Sequence, residues 1–388
     1  MRKTLRWLWI WLVGTIASQS LLTSLFALGW TYRWQRRTAV RRMFHRSAIA
    51  SQKNWRQFAS EQEALTPMRD VPRLFRRQPG TLQPTRPVLK PFHAALHGAW
   101  TNLGWGGVGI LTTWTLTLLP TLLWSFAWYA GWHVSFAKMY EHSEVGISLG
   151  FSGLLLFSLA MLYLPIAQAR HALTGDWRSF FDRRVNLALI WHRPLFVLLL
   201  ALGYGLAGVA IALFKIMPAF FTAMNPDLTM LSAVEALQVL NRYYFWTGGI
   251  AIVLFVALRT AAARLYSNAL TELWRQARVK PSAFHVEEVR LLELMQVEYG
   301  DRRQSGGALR KAIGSLGWGS YRGGLLVATA LVWSAFNVLP FVSQFGNYQP
   351  VRGFLNQPLV QLPCFRYVPE SLEHHGQALP ELETELES

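Results

Sequence analysis

Ala95-Leu96-His97-Gly98-Ala99-Trp100-Thr101-Asn102-Leu103-Gly104-Trp105-Gly106 decides how the rest of the chain is parsed. An echo lies 213 residues on, at Ala308-Leu309-Arg310-Lys311-Ala312-Ile313-Gly314-Ser315-Leu316-Gly317-Trp318-Gly319, with seven of the twelve positions identical. Each copy follows a basic polar segment and precedes an apolar run that reaches a Leu-Pro step, Leu119-Pro120 or Leu339-Pro340. Both read as places where the chain leaves the cytosolic side and enters a membrane. Each would be a surface helix, a glycine hinge and a Trp anchored in the head-group layer.

Composition supports a bilayer as the surrounding solvent. Charged residues make up 15% of the 388, against roughly 25% in soluble domains, and hydrophobic residues 52%. The formal charge is nevertheless +17. High apolarity with high positive charge is the pattern of a membrane protein with basic cytosolic loops. The single Cys364 excludes an internal disulfide framework and a cysteine zinc site.

Working outward, Trp7 to Trp30 is apolar over about 24 residues, enough for one helical crossing. A cleavable signal is the competing reading, but the apolar character continues well past Ala17-Ser18-Gln19. An uncleaved first helix over 1–30 is therefore expected. Residues 31–94 form a basic cytosolic segment, broken by prolines 67, 72, 79, 84, 87 and 91, with a basic surface helix expected near 43–62. Its opening cluster, Arg33, Arg36, Arg37, Arg41, Arg42 and Arg46, is the candidate site for anionic lipid head groups, at about 1 kcal/mol per residue near the surface.

Further spans are expected at 107–130, 146–166, 195–217, 244–262 and 324–345, with a cytosolic loop over 263–323. Together with the first helix, this is an all-α, polytopic membrane protein of about six transmembrane helices, with amphipathic interfacial helices. Of the 38 Lys and Arg, 29 fall on loops 31–106, 168–194 and 263–323, and 7 on the alternate set. That asymmetry puts the 29 in the cytosol and both chain ends outside. Trp and Tyr near the edges of the runs agree, from Trp100, Trp105, Trp177 and Trp191 inside to Trp124, Trp128, Tyr129, Trp132, Tyr243 and Trp246 outside. Residues 346–388 read as an outer surface segment with an acidic, disordered tail. Asp227 is expected to cap an outer helix. Ser282 to Tyr299, with Val286, Val289, Leu292 and Met295 between Glu287, Glu288 and Arg290, reads as an amphipathic helix against the membrane or a partner.

Signals of chemistry are sparse. Gly203-Tyr204-Gly205-Leu206-Ala207-Gly208 fits a dinucleotide fingerprint by letter, but lies inside an apolar span and reads as a helix-packing face. The stripe Thr113, Thr117, Thr121 and Ser125, and the glycines 146, 150 and 153, read as close helix contacts. Lys215 and Arg259, the ionisable residues inside the runs, are near run ends, where snorkelling accounts for them. His93 and His97 share a helix face without a completing ligand, and His133, Glu141, His142 and Glu144 are too scattered for a metal site. For His171, Asp176, Asp182 and His192 the simple reading has Asp176 capping a helix and Asp182 pairing with Arg178. No catalytic, cofactor or metal residue is assigned.

The expected role is non-enzymatic: a scaffold, assembly or accessory subunit of a plasma membrane, the bacterial inner membrane, holding lipids or a protein partner. Nucleic acid is not expected, because the basic loop is proline-broken and tied to a bilayer. The alternative is a transporter or channel for a small anionic solute using the threonine stripe with Lys215 and Arg259. A lipid-acting enzyme using His171 and Asp176 comes third.

Overall fold

The first apolar run does not cross as one helix. In the computed structural model, which describes residues 2–61, 90–127, 144–301, 319–321, 323, 324 and 327, it is divided into α1 (Arg2–Ala17) and α2 (Leu21–Phe44) by a turn at Ser18–Ser20. Short polar side chains satisfy the carbonyls that a helix end leaves open. Ser18 Oγ and Gln19 Nε2 donate to Thr15 O at 2.7 and 3.1 Å, and Thr23 Oγ1 donates to Ala17 O at 2.7 Å. Ser20 is extended (φ −134°, ψ 146°), and the chain reverses there. Trp7 then packs edge-on against Trp34 with centroids 5.2 Å apart, while Ala17 meets Ala27. The pair is an antiparallel hairpin, so the start of α1 returns to the end where the arginines of α2 lie. The expected single span is corrected here, and the expectation that the chain start lies opposite those arginines goes with it.

Downstream come a 3₁₀ turn (Ala48–Ser51), α3 (Trp55–Glu61), α4 (Lys90–Ala127), α5 (Glu144–Thr174), α6 (Arg178–Phe181), α7 (Arg183–His192), α8 (Pro194–Ile216), α9 (Phe221–Met224), α10 (Ala233–Arg275) and α11 (Val286–Leu294). Every regular element among the described residues is helical. In place of the surface helix expected near 43–62, the short α3 folds back so that Trp55 and Phe58 ring Phe44. α10 starts at a capping box: Ser232 Oγ accepts from Glu235 N, and a Glu235 carboxylate oxygen accepts from Ser232 N at 2.9 Å. Asp227 instead sits in the preceding 3₁₀ turn, capped by Asn225.

α10 runs for 43 residues, about 64 Å at 1.5 Å per residue, roughly twice the thickness of a bilayer core. The expected loop at 263–323 therefore opens with three further turns of helix. α2 and α5 also run on beyond their apolar runs, to Phe44 and Thr174. Arg, Gln and Glu are good helix formers, so hydropathy falls where the helix does not stop. The molecule thus has two strata. One holds α1, α8 and the apolar parts of α2, α4, α5 and α10. The other holds the polar ends of α2, α5 and α10 wrapped by α3, α6, α7 and α11, and one continuous core runs from Phe44, Phe180, Leu270, Trp274 and Leu292 here to Leu164 and Val197 in the first.

The opening stretch lies inside an unbroken α4, so it has no hinge. Its Gly106 serves a contact, whereas Gly104 faces open space. A Cβ on Gly106 would stand 1.9 Å from Leu25 O, and one on Gly29 of α2 1.7 Å from Asn102 O. The two backbones therefore cross at a distance only glycine allows. Of the echo, only Gly319 is among the described residues. Two described helices are long and apolar enough to cross a membrane, α8 over Pro194–Ile211 and α10, and Thr4–Ala17 is a shorter apolar helix. The expectations for 66–89, 128–143 and 328–388 fall outside the described residues.

Candidate functional site

α2, which runs parallel to α10, carries five of the six candidate arginines, with Arg46 just past its end, and the neighbouring helices decide what each of them meets. Trp34 Nε1 donates to Thr260 Oγ1 at 2.8 Å, which sets the register. Arg33 Nη1 donates to Asn102 Oδ1 at 3.1 Å, and burial lowers the pKa of its guanidinium. Arg36 Nη2 lies 3.1 Å from Glu287 Oε1 of α11; burial lowers its pKa and Glu287 restores part of it. Arg37 stands over the Trp34 ring at 5.5 Å. Arg41 and Arg42 are exposed: Arg41 Nε reaches His45 Nε2 at 3.4 Å, and Arg42 Nε donates to Asn268 Oδ1 at 3.1 Å. Arg46 Nη1 is 3.6 Å from Glu272 Oε1. The six are thus divided: Arg33 and Arg36 bind neighbouring helices, and Arg41 and Arg42 carry their charge at the surface.

Glu272 gathers the next layer. Arg193 grips it with Nη2 on Oε1 and Nε on Oε2 (3.1 Å), while His192 Nε2 lies 3.2 Å from Oε2. Burial alone would raise the pKa of this carboxyl, but the Arg193 and His192 contacts outweigh it and lower the value. Arg46 also feels Arg193, Arg42 and Arg275 as like charges. This end of the molecule is strongly electropositive around one engaged carboxylate.

A second cluster ties α11 down. Arg170 near the end of α5 is 1% exposed and Glu288 of α11 is 0% exposed. Arg170 Nε and Nη2 donate to the two Glu288 oxygens at 2.9 and 3.0 Å, Nη1 to Asp182 Oδ2 at 2.8 Å, and Tyr266 Oη to Glu288 Oε1 at 2.5 Å. Burial opposes the charge on Arg170, yet the Glu288 carboxylate raises its pKa; burial and the same carboxylate push the Tyr266 phenol well up. α11 is amphipathic as expected, but the surface it covers is this protein's own, and Glu288 lies on its buried side. Hydrophobic spacing marks Val286, which is 79% exposed, and misses the glutamate that anchors the helix.

Of the four residues weighed for acid–base chemistry, His171 and Asp176 stay within electrostatic reach of each other, while Asp182 and His192 go elsewhere. His171 is buried between Tyr32 and Trp105, each at 5.4 Å between centroids. Asp176 Oδ1 accepts from Arg178 N at 2.9 Å, and its Oδ2 lies 3.5 Å from His285 Nε2. Asp182 caps α7 through Val185 N and pairs with Arg170 rather than Arg178, and His192 belongs to the Glu272 cluster.

Arg259 overturns the snorkelling expectation, for it is 0% exposed in the middle of α10. Its guanidinium lies 5.1 Å from the Tyr32 ring centre and 5.0 Å from that of Phe255, and Nη1 donates to Gln35 Oε1 at 3.3 Å. Nearby, Thr113 Oγ1 accepts from Gln168 Nε2 at 2.9 Å, and Tyr204 of the glycine-rich run is buried. α2, α4, α5 and α10 thus enclose a polar interior. The side chains of Lys215, His93, Thr121, Ser125 and Glu144 lie outside the described residues, as do His133, Glu141 and His142. Among the described residues no three of His, Cys, Asp and Glu gather as a metal site. Compared with protein-family models, curated proteins and solved structures, the chain matches none.

Proposed function

We propose that this chain is an integral protein of a bacterial inner membrane, with five crossings and one hairpin, serving as a non-enzymatic scaffold or accessory subunit. The apolar stratum turns large side chains outward, as Leu195, Phe196, Leu199 and Leu206 do on α8 and Trp246, Ile250 and Val253 on α10. Faces of that kind call for lipid or a partner. The hairpin of α1 and α2 enters and leaves on the cytosolic side. It brings Arg2, Lys3 and Arg6 to the side of the other 29 basic residues, and the positive-inside asymmetry strengthens.

The observation that carries the role is the clamped polar stratum. Arg170, Asp182 and Glu288, and likewise Glu272 with Arg193, fasten short helices to the ends of long ones and leave basic side chains facing outward. Such a rigid basic platform suits docking. Native mass spectrometry of the whole protein from mild detergent tests it. A stoichiometric protein partner is expected, and a monomer without one overturns the role.

A second reading, passage of a small anionic solute, draws on the interior of Arg259, Gln35, Thr113 and Gln168. Flux into proteoliposomes that disappears in Arg259→Gln would favour it over the scaffold.

A further inference from the structure

On the outward side of α8 and α10 lies a groove of about 360 Å³. Leu199 and Gly203 form one wall, Leu258 and Leu265 the other, and Arg264 and Asn268 close one end. The trough exists because Gly203 has no side chain: a Cβ there would stand 3.5 Å from Leu258 Cδ2, an ordinary contact that anything longer would exceed. Its α8 residues lie within the first three turns after Pro194, about 15 Å of rise, and so in the half of the apolar stratum next to the basic platform.

The rim is cationic. Arg264 is exposed one turn before Asn268 on the same face of α10, and the Asn268 side chain accepts from Arg42 Nε at 3.1 Å. Arg193 lies 5.2 Å over the ring of Phe196, which also lines the groove. The nearest carboxylate along α10, Glu272, is already held by Arg193 and His192. No carboxylate pairs with Arg264 among the described residues, so the mouth offers two guanidinium groups to an anion.

An apolar trough ending at arginines at the bilayer surface matches one kind of molecule, a lipid with an anionic head. A transmembrane helix of another protein would suit the walls but leave the arginines facing nothing. We infer that the groove between α8 and α10 holds one anionic phospholipid. Its acyl chain lies along Leu199, Gly203, Leu258 and Leu265, and its phosphate sits on Arg42 and Arg264. This narrows the basic lipid site to a single lipid in a defined place. It rests on the membrane reading above.

The test uses the whole protein in mild detergent, with phosphatidylglycerol and phosphatidylcholine added separately and bound lipid counted by native mass spectrometry. Phosphatidylglycerol is expected to bind at least tenfold more tightly. Arg42→Gln with Arg264→Gln should remove that preference, whereas Arg56→Gln on α3, exposed and outside the groove, should keep it. Gly203→Leu should abolish retention of both lipids. Equal binding of phosphatidylglycerol to wild type and the double arginine variant overturns the inference, as does cross-linking of a protein instead of lipid through Leu199→Cys in a Cys364→Ser background. Carbonate washing of cell membranes separates the two levels. If the protein stays in the pellet while the variants bind alike, only the groove assignment falls; if it washes off, the membrane reading falls too.

Discussion

Arg170 and Glu288, 118 positions apart, meet as a two-point pair with both partners withdrawn from water. Tyr266 and the backbone N of His285 also donate to the same carboxylate, at 2.5 and 2.8 Å. α5, α10 and α11 are therefore joined at one buried point: loss of Arg170 strands the Glu288 carboxylate, and loss of Glu288 leaves Arg170 with Asp182 alone.

For that reason Glu288→Ala is expected to destabilise the protein by about 3–5 kcal/mol, the cost of breaking a buried pair, because Arg170 then keeps only the partly exposed Asp182. Arg170→Met combined with Glu288→Met should recover most of the loss. Thermal unfolding in detergent reads both variants. A double variant no better than Glu288→Ala would show that the pair does more than balance charge.

His171 gives the pH dependence. Burial lowers its pKa below the ordinary 6.5, only partly opposed by Asp176, so the folded protein binds the proton less well than the unfolded chain. Stability should then be full above about pH 6.5 and decline as the pH falls from there toward the lowered value. His171→Phe, which keeps a ring between Tyr32 and Trp105, should flatten that slope in melting curves taken from pH 8 to 5. An unchanged slope would assign it to other groups.

The glycine crossing is equally direct. Gly29→Ala and Gly106→Ala each place a methyl inside contact distance of a backbone oxygen, at 1.7 and 1.9 Å, so α2 and α4 must separate. Overpacking of that kind costs about 1–3 kcal/mol or more. Gly107→Ala meets nothing within 4 Å and should melt like wild type. Melting temperatures of the three variants check the contrast.

The hairpin predicts topology. An epitope inserted ahead of Arg2 and another after Lys280 should both be reached by protease only after cells are opened, and one following Pro350 should be cut from outside. Digestion of the first epitope in intact spheroplasts would restore the single-span arrangement.

Local composition was enough to establish that this chain is helical, where its apolar runs lie and that its basic residues crowd one set of connecting segments. These properties add up residue by residue, so they need no knowledge of neighbours. Tertiary structure decided the rest. A hydropathy window averages over the turn at Ser18–Ser20, whose polar groups are satisfied within a few residues, so the reversal of α1 on α2 left no trace in it. Helix ends follow caps and packing, and so α10 outruns its apolar stretch by three turns. The partner of a charge is chosen by what the fold brings within 3 Å: Asp182 goes to Arg170 rather than Arg178, and Glu288 turns inward from a helix face that its spacing marks as wet. As for the stretch at 95–106, its glycines were legible as special, but their purpose was not. Gly106 is there because Leu25 O of α2 comes too close for a side chain, and only the folded backbone contains that distance.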